Sequence, residues 1–181
     1  MHPFQQFRYC PKCGSPQFVV NDEKSKRCLA CQFVYYFNPS AATVAVILSG
    51  KGEVLCTRRE REPARGTLDL PGGFCDCFET SEEAVVREVR EETGLCVERT
   101  QYLFSLPDTY LYSGFLVHTV DNFFLCHVEG NVEQLQREGK LRAMDDASEL
   151  MWVAPADLRS EDFGLDSIRL GVEKIKKMLN K

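Results

Sequence analysis

Apolar and polar positions alternate over short stretches through most of this chain and change to a helical period in two places. Ala41 to Leu48 and Glu53 to Arg58 are β-branched or apolar runs divided by Ser49-Gly50-Lys51-Gly52, which predicts a hairpin. Leu95 to Val97 and Gln101 to Phe104 read as strands, and Ser105 to Tyr112, with Pro107, as a loop. Ser113 to His118 and Asn122 to Val128 predict another hairpin, and Met151-Trp152-Val153 a short strand. Gly130 to Asp146 is polar and irregular, with a helical turn around Val132 to Glu138.

The first helical segment runs from Thr80 to about Thr93. Ala84, Val85 and Val89 form its apolar stripe. Thr80 is a good N-cap, Glu83 completes a capping box, and Gly94 suits the C′ position with Leu95 folding back on the last turn. A final helix, capped by Asp166 or Ser167, ends at Leu179 with lysines in its last turn, where the dipole favours them. Strands with two main helices predict an α/β fold, a mixed sheet sandwiched by helices.

At 181 residues and 44% hydrophobic content, the chain suits one medium domain with a small appendage. We expect a small N-terminal module over residues 1–38 and the main domain over residues 39–181. No run of about 18 apolar residues occurs, so no membrane partner is expected. The opening residues lack a basic segment followed by an apolar one, so a cytoplasmic location is expected. The net charge of −5 argues against general polyanion binding, and nucleic acid is not an expected partner. The charge is uneven: residues 1–40 hold Arg8, Lys12, Lys24, Lys26 and Arg27 against Asp22 and Glu23.

The nine cysteines refine this picture. Cys10-Pro11-Lys12-Cys13 and Cys28-Leu29-Ala30-Cys31 are two Cys-x2-Cys knuckles, the pattern of a four-thiolate zinc site. Gln17 to Val20 and Gln32 to Phe37 read as strands around them. So short a segment has too little core to fold without a metal, which predicts one structural Zn²⁺. Cys56, Cys75, Cys77, Cys96 and Cys126 read mainly as small buried hydrophobes, with Cys75 and Cys77 exposed beside a glycine turn.

The strongest chemical signal lies in that turn and the helix after it. Pro71-Gly72-Gly73 precedes six carboxylates between Glu79 and Glu92. Glu88 and Glu92 are four apart on the helix with Glu91 beside them, a spacing at which like charges repel. A hard dication such as Mg²⁺ would relieve the repulsion, because it takes oxygen ligands and substrate phosphates.

The sequence Gly73-x5-Glu79-x7-Arg87-Glu88-Val89-x-Glu91-Glu92-x-Gly94-Leu95 resembles the Nudix box with every fixed position filled. With the cysteine module in front, the order resembles the zinc-ribbon branch of the Nudix hydrolases, from about Phe7 to Trp152. That resemblance implies an α/β/α Nudix sandwich and metal-dependent cleavage of a nucleoside diphosphate joined to another moiety, such as NAD(H), FAD or ADP-ribose. It implies Mg²⁺ or Mn²⁺ held by Glu88, Glu91 and Glu92, with Asp146 as a further ligand and Asp145 or Glu149 as substitutes. Arg87 and Glu79 become an ion pair holding the box, and the general base is a glutamate, either Glu88 or Glu91 or one in the segment 145–149. Gly72 and Gly73 shape the site, Phe74 stacks on adenine, and Tyr35 or Tyr36 reaches the pocket of a partner subunit in a homodimer. The chain departs from that pattern at Phe78, where relatives often have glycine, and at Phe104 to Tyr110, which lacks the tryptophan and later prolines of NADH pyrophosphatases. A second hypothesis is a non-catalytic regulator of the same fold that senses a ligand or binds nucleic acid through the weakly basic ribbon; degenerate boxes mark such proteins, and this box is intact.

Overall fold

The computed structural model describes residues 5–145 and 147–180, which divide into two compact units. The first holds the described residues up to Pro39 together with Thr109–His118, and the second holds Ser40–Asp108 and the residues from Thr119 onward.

In the first unit, strands β1 (Phe18–Val20), β2 (Ser25–Cys28) and β3 (Val34–Tyr36) form an antiparallel sheet in sequence order. Its core is small: Cys10, Phe18 and Cys28 are buried, with Phe7, Cys31 and Phe33 packed against them. Phe7 also meets Phe37 and Phe115 edge to face, at centroid distances of 4.8 and 5.6 Å.

The second unit contains β4 (Ser40–Val46), β5 (Val54–Arg59), β6 (Leu68–Asp69), α1 (Ser81–Thr93), the body of β7 (Val97–Tyr112) and β8 (Phe115–Val128), α2 (Val132–Arg137), β9 (Ala147–Val153) and α3 (Asp166–Leu179). One sheet has the order β4-β8-β7, with β4 parallel to β8, and the other the order β6-β5-β9, antiparallel throughout. Both sheets are covered on both faces, and the period-2 alternation of the strands shows it. Val44, Val46, Val54, Cys56 and Phe123 join the cluster under α3, with Ile168, Val172 and Ile175. Their neighbours Ala45, Ile47, Leu55 and Phe124 turn to the other cluster, with Val85 and Val89 of α1. The expected α/β arrangement of mixed strands between helices is what the chain adopts.

Four local expectations are corrected. Ser113 to His118 and Asn122 to Val128 do not pair as a hairpin; from Phe115 on they belong to one continuous strand, β8, because the residues between them stay extended. The predicted β4–β5 hairpin reduces to a single bridge, Leu48 to Val54. The two strands enter different sheets, because each is buried on both faces and takes its partners from distant strands. The loop predicted over Ser105 to Tyr112 is part of one long strand, β7. β7 lies at the edge of its sheet, where Pro107 can omit a backbone donor without breaking a central ladder. The turn at its end is Ser113-Gly114, with φ of 52° and 76°, as a tight two-residue hairpin turn demands. Finally, neither Asp166 nor Ser167 caps α3; its N-cap is Leu165, without a side-chain cap, and the Ser167 hydroxyl donates instead to the buried carboxylates of Asp108 and Asp121.

Candidate active site

The helix carrying the carboxylates forms as its sequence dictates. Thr80 accepts from the Glu83 N–H, Glu83 reaches back to the Thr80 N–H at 2.8 Å, and Gly94 closes the helix in the left-handed conformation. Ala84, Val85 and Val89 bury one face. The flank beside it, with Arg87, Glu88 and Glu91, meets the loop that precedes the helix.

That loop is fixed by strand-like bonds to β4. Thr43 N–H donates to Gly73 O at 2.8 Å, Ala45 N–H to Pro71 O at 2.7 Å, and Cys75 N–H to Ala41 O at 3.0 Å. A Cβ on Gly72 would lie 2.0 Å from Thr43 O, so only glycine allows this approach. Upstream, the buried Asp69 pairs with Arg59 and anchors the start of the turn. Burial pushes the Asp69 carboxyl up, and the Arg59 guanidinium opposes that shift.

Arg87 ties loop to helix. Its Nε and Nη2 donate to the two oxygens of Glu79, each at 2.8 Å, and Nη2 also to Phe74 O at 3.0 Å. Its Nη1 donates to Glu88 at 2.8 Å and to Glu91 at 3.0 Å. These bonds, with one from the Asp76 N–H, hold the Glu79 carboxyl down at about 2. Desolvation pushes the Glu88 carboxyl up, and the charges of Glu91 and Asp145 act in the same direction. Glu92 is buried and accepts from Gly72 N–H at 3.0 Å, so it points at the glycine turn.

The structure thus brings Glu79, Arg87, Glu88, Glu91, Glu92, Gly72, Gly73 and Phe74 into one continuous assembly. Asp146 lies outside the described residues. Its neighbour Asp145 belongs to a segment stitched to the end of α1, through Met144 N–H to Glu92 O at 3.0 Å and Arg142 N–H to Thr93 O at 3.2 Å. Glu149 is engaged elsewhere, with Arg58 at 2.9 Å. Tyr36 is an exposed residue of the first unit. Sequence reasoning missed Asn122, whose amide donates to Ala42 O at 3.2 Å and to Ser81 Oγ at 3.4 Å, joining β8, β4 and the start of α1. No local signal announces it, since its partners lie far away in sequence.

The donor chemistry fits divalent ions of the Mg²⁺ class: Glu88, Glu91 and Glu92 offer only oxygens. In the first unit, Cys10, Cys13, Cys28 and Cys31 bring their sulfurs within 4.8 Å of one another. Cys10 to Cys31 is 3.8 Å and Cys13 to Cys28 is 3.6 Å. Zinc–sulfur bonds of about 2.3 Å in a tetrahedron place sulfurs about 3.8 Å apart, so the cluster fits that ion.

A glycine turn clamped to a carboxylate-bearing helix is thus the central feature of this α/β unit. The chain belongs to the NUDIX family: the NUDIX domain model matches residues 38–170. It is 38% identical over 116 residues to an ADP-ribose pyrophosphatase of Methanocaldococcus jannaschii, covering 63% of this chain and 61% of that protein. It is 30% identical over 106 residues to an NAD-capped RNA hydrolase NudC of Vibrio parahaemolyticus, covering 59% of this chain and 40% of that one. The matches therefore span less than two thirds of these relatives. Among solved structures, a MutT NUDIX hydrolase from Burkholderia pseudomallei superposes with a TM-score of 0.62 at 28% identity, over 76% of this chain and 98% of the other. A NUDIX hydrolase from Nitrosomonas europaea, at 17% identity and a TM-score of 0.65, shares the fold over 94% of this chain and 90% of that one. No helix among the described residues is long and apolar enough to cross a membrane.

Proposed function

We propose that this protein is a divalent-metal-dependent pyrophosphohydrolase that cleaves the diphosphate between a nucleoside and a second moiety. The observation that carries this reading is the Arg87 network, which gathers Glu79, Glu88 and Glu91 beside the glycine turn that Glu92 holds from the other side. Glu88, Glu91 and Glu92 hold Mg²⁺ or Mn²⁺, and the segment with Asp145 and Asp146 supplies a further carboxylate. A divalent ion held there would neutralise charge on the diphosphate and lower the pKa of a water. Arg87 and Glu79 keep the loop and helix in register, and Phe74, about half exposed, offers its ring to the base. A glutamate of the helix, Glu88 or Glu91, takes the proton of the attacking water, since the glutamate of the segment 145–149 is paired with Arg58. The water oxygen bonds to one phosphorus, the bridging P–O bond breaks, and two phosphomonoesters leave.

Substrates of the ADP-ribose, NAD(H) and FAD type share this diphosphate. So does an NAD cap on RNA, which the name of the Vibrio relative brings into the same chemical class. The four cysteines hold one structural Zn²⁺, and a homodimer is the assembly we infer. The test is a panel of NADH, NAD⁺, FAD, ADP-ribose, dinucleoside polyphosphates and NAD-capped RNA with Mg²⁺ or Mn²⁺, read by chromatography of the products. Metal-dependent release of nucleoside monophosphate supports the reading; binding of these ligands without turnover would support the non-catalytic regulator instead.

A further inference from the structure

The turn that leads into the carboxylate helix holds a bulky ring where the backbone favours glycine. Glu79 N–H donates to Asp76 O at 3.2 Å and Asp76 N–H to the Glu79 carboxylate at 2.8 Å, so the turn Asp76-Cys77-Phe78-Glu79 is closed from both ends. Phe78 is its third residue, at φ 70°, a conformation that a Cβ disfavours. Its relative exposure is 109%, so the ring gains no packing in return. The other described non-glycine residues at positive φ are Gln32, Ala64, Ser113 and Asp145; none is a large apolar side chain. Phe78 therefore costs stability through its backbone, and its exposed ring offsets none of that cost. Strained positions of this kind concentrate at ligand clamps.

Its neighbours indicate the ligand. Phe74, on the same loop, is also exposed, at 45%. The Arg87 guanidinium bonds the carbonyl of Phe74 at 3.0 Å and both carboxylate oxygens of Glu79, the residue after Phe78. Arg87 thus ties the backbone of Phe74 and the side chain that follows Phe78 to the carboxylate helix, and both rings are exposed on that loop. A diphosphate held by those carboxylates carries one group at each end, and an aromatic ring binds a flat ring by stacking.

We propose that Phe78 is a specificity-determining residue that stacks on a second flat ring, at the opposite end of the diphosphate from the base on Phe74. The preferred substrates are then dinucleotides rather than nucleoside diphosphates joined to a sugar. This inference rests on the pyrophosphohydrolase reading above.

The experiment compares the wild type with Phe78→Gly and Phe78→Leu, using NADH and ADP-ribose. Phe78→Gly relieves the backbone and raises the melting temperature by about 2–4 °C. It also raises KM for NADH roughly tenfold, and by roughly five times more than KM for ADP-ribose. Phe78→Leu, which keeps bulk and strain but not the flat ring, raises KM for NADH without the gain in melting temperature. Equal changes for the two substrates, or no change in either, overturn the proposal. So does a shift in oligomeric mass with an unaltered KM ratio, which assigns the ring to a contact between chains. If the wild type hydrolyses neither compound, the pyrophosphohydrolase reading fails. Calorimetric dissociation constants for NADH and ADP-ribose then decide the role of Phe78 by the same ratio.

Discussion

Gly73 lies so close to Glu88 that a Cβ built on it would come within 2.6 Å of the Glu88 Oε1 and 2.7 Å of its carboxyl carbon. The second glycine of the turn is therefore called for by the neighbouring carboxylate and not by its backbone conformation. Gly73→Ala must push Glu88 away from the position Arg87 gives it. A displacement of about 1 Å at a reacting centre can lower kcat on the order of 10²-fold. We expect that loss in steady-state assays, with Tm falling only slightly; wild-type kcat in Gly73→Ala would show that the Glu88 position is not critical.

The carboxylates of α1 should separate by role. Glu92→Gln keeps volume and removes the charge, which should lower kcat by about 10²-fold or more, as for loss of a main electrostatic stabiliser. Glu82 is exposed on the same helix and outside the Arg87 network, and Glu82→Gln should leave kcat near the wild-type value. Similar losses in the two variants would refute the assignment of the metal site.

Metal content tests the ribbon. Freshly purified protein should contain about one zinc per chain, and Cys28→Ser should abolish most of it and lower the melting temperature, because a structural zinc contributes folding energy directly. Cys28 is fully buried, so the loss would also loosen the core shared with Cys10 and Phe18. Elemental analysis that finds unchanged zinc in Cys28→Ser would contradict the four-thiolate site.

The Arg87–Glu79 pair predicts a pH dependence. Arg87 lowers the Glu79 carboxyl from 4.5 to about 2 in the folded protein. A depressed folded value means the stabilisation is fully present above pH 4.5 and is lost as pH falls toward 2. Denaturant midpoints of the wild type and Glu79→Gln, measured without added divalent ions, should differ most at neutral pH and converge as pH falls through that window. A gap that stays constant from neutral pH into that acid window would show that Glu79 acts through packing rather than charge.

The sequence by itself determined the ends of α1, the grouping of its carboxylates and that of the four ribbon cysteines. Thr80, Glu83 and Gly94 delimit α1 through bonds made within a few residues, and the box carboxylates follow from helical spacing. The cysteine knuckles likewise announce their cluster, because each pair is short and local. Pairing between distant strands was decided only by the tertiary structure. β4 leaves its neighbour β5 and joins β8, and Pro107 sits within a strand because that strand is at an edge. The same holds for the finer site. Asn122 reaches Ser81 across 41 positions of chain, and the crowding of Gly73 by Glu88 exists only once loop and helix are packed. Local hydrogen bonds and side-chain periodicity are written in consecutive residues, whereas these contacts come from burying two faces of each strand at once, a condition that no short stretch of sequence contains.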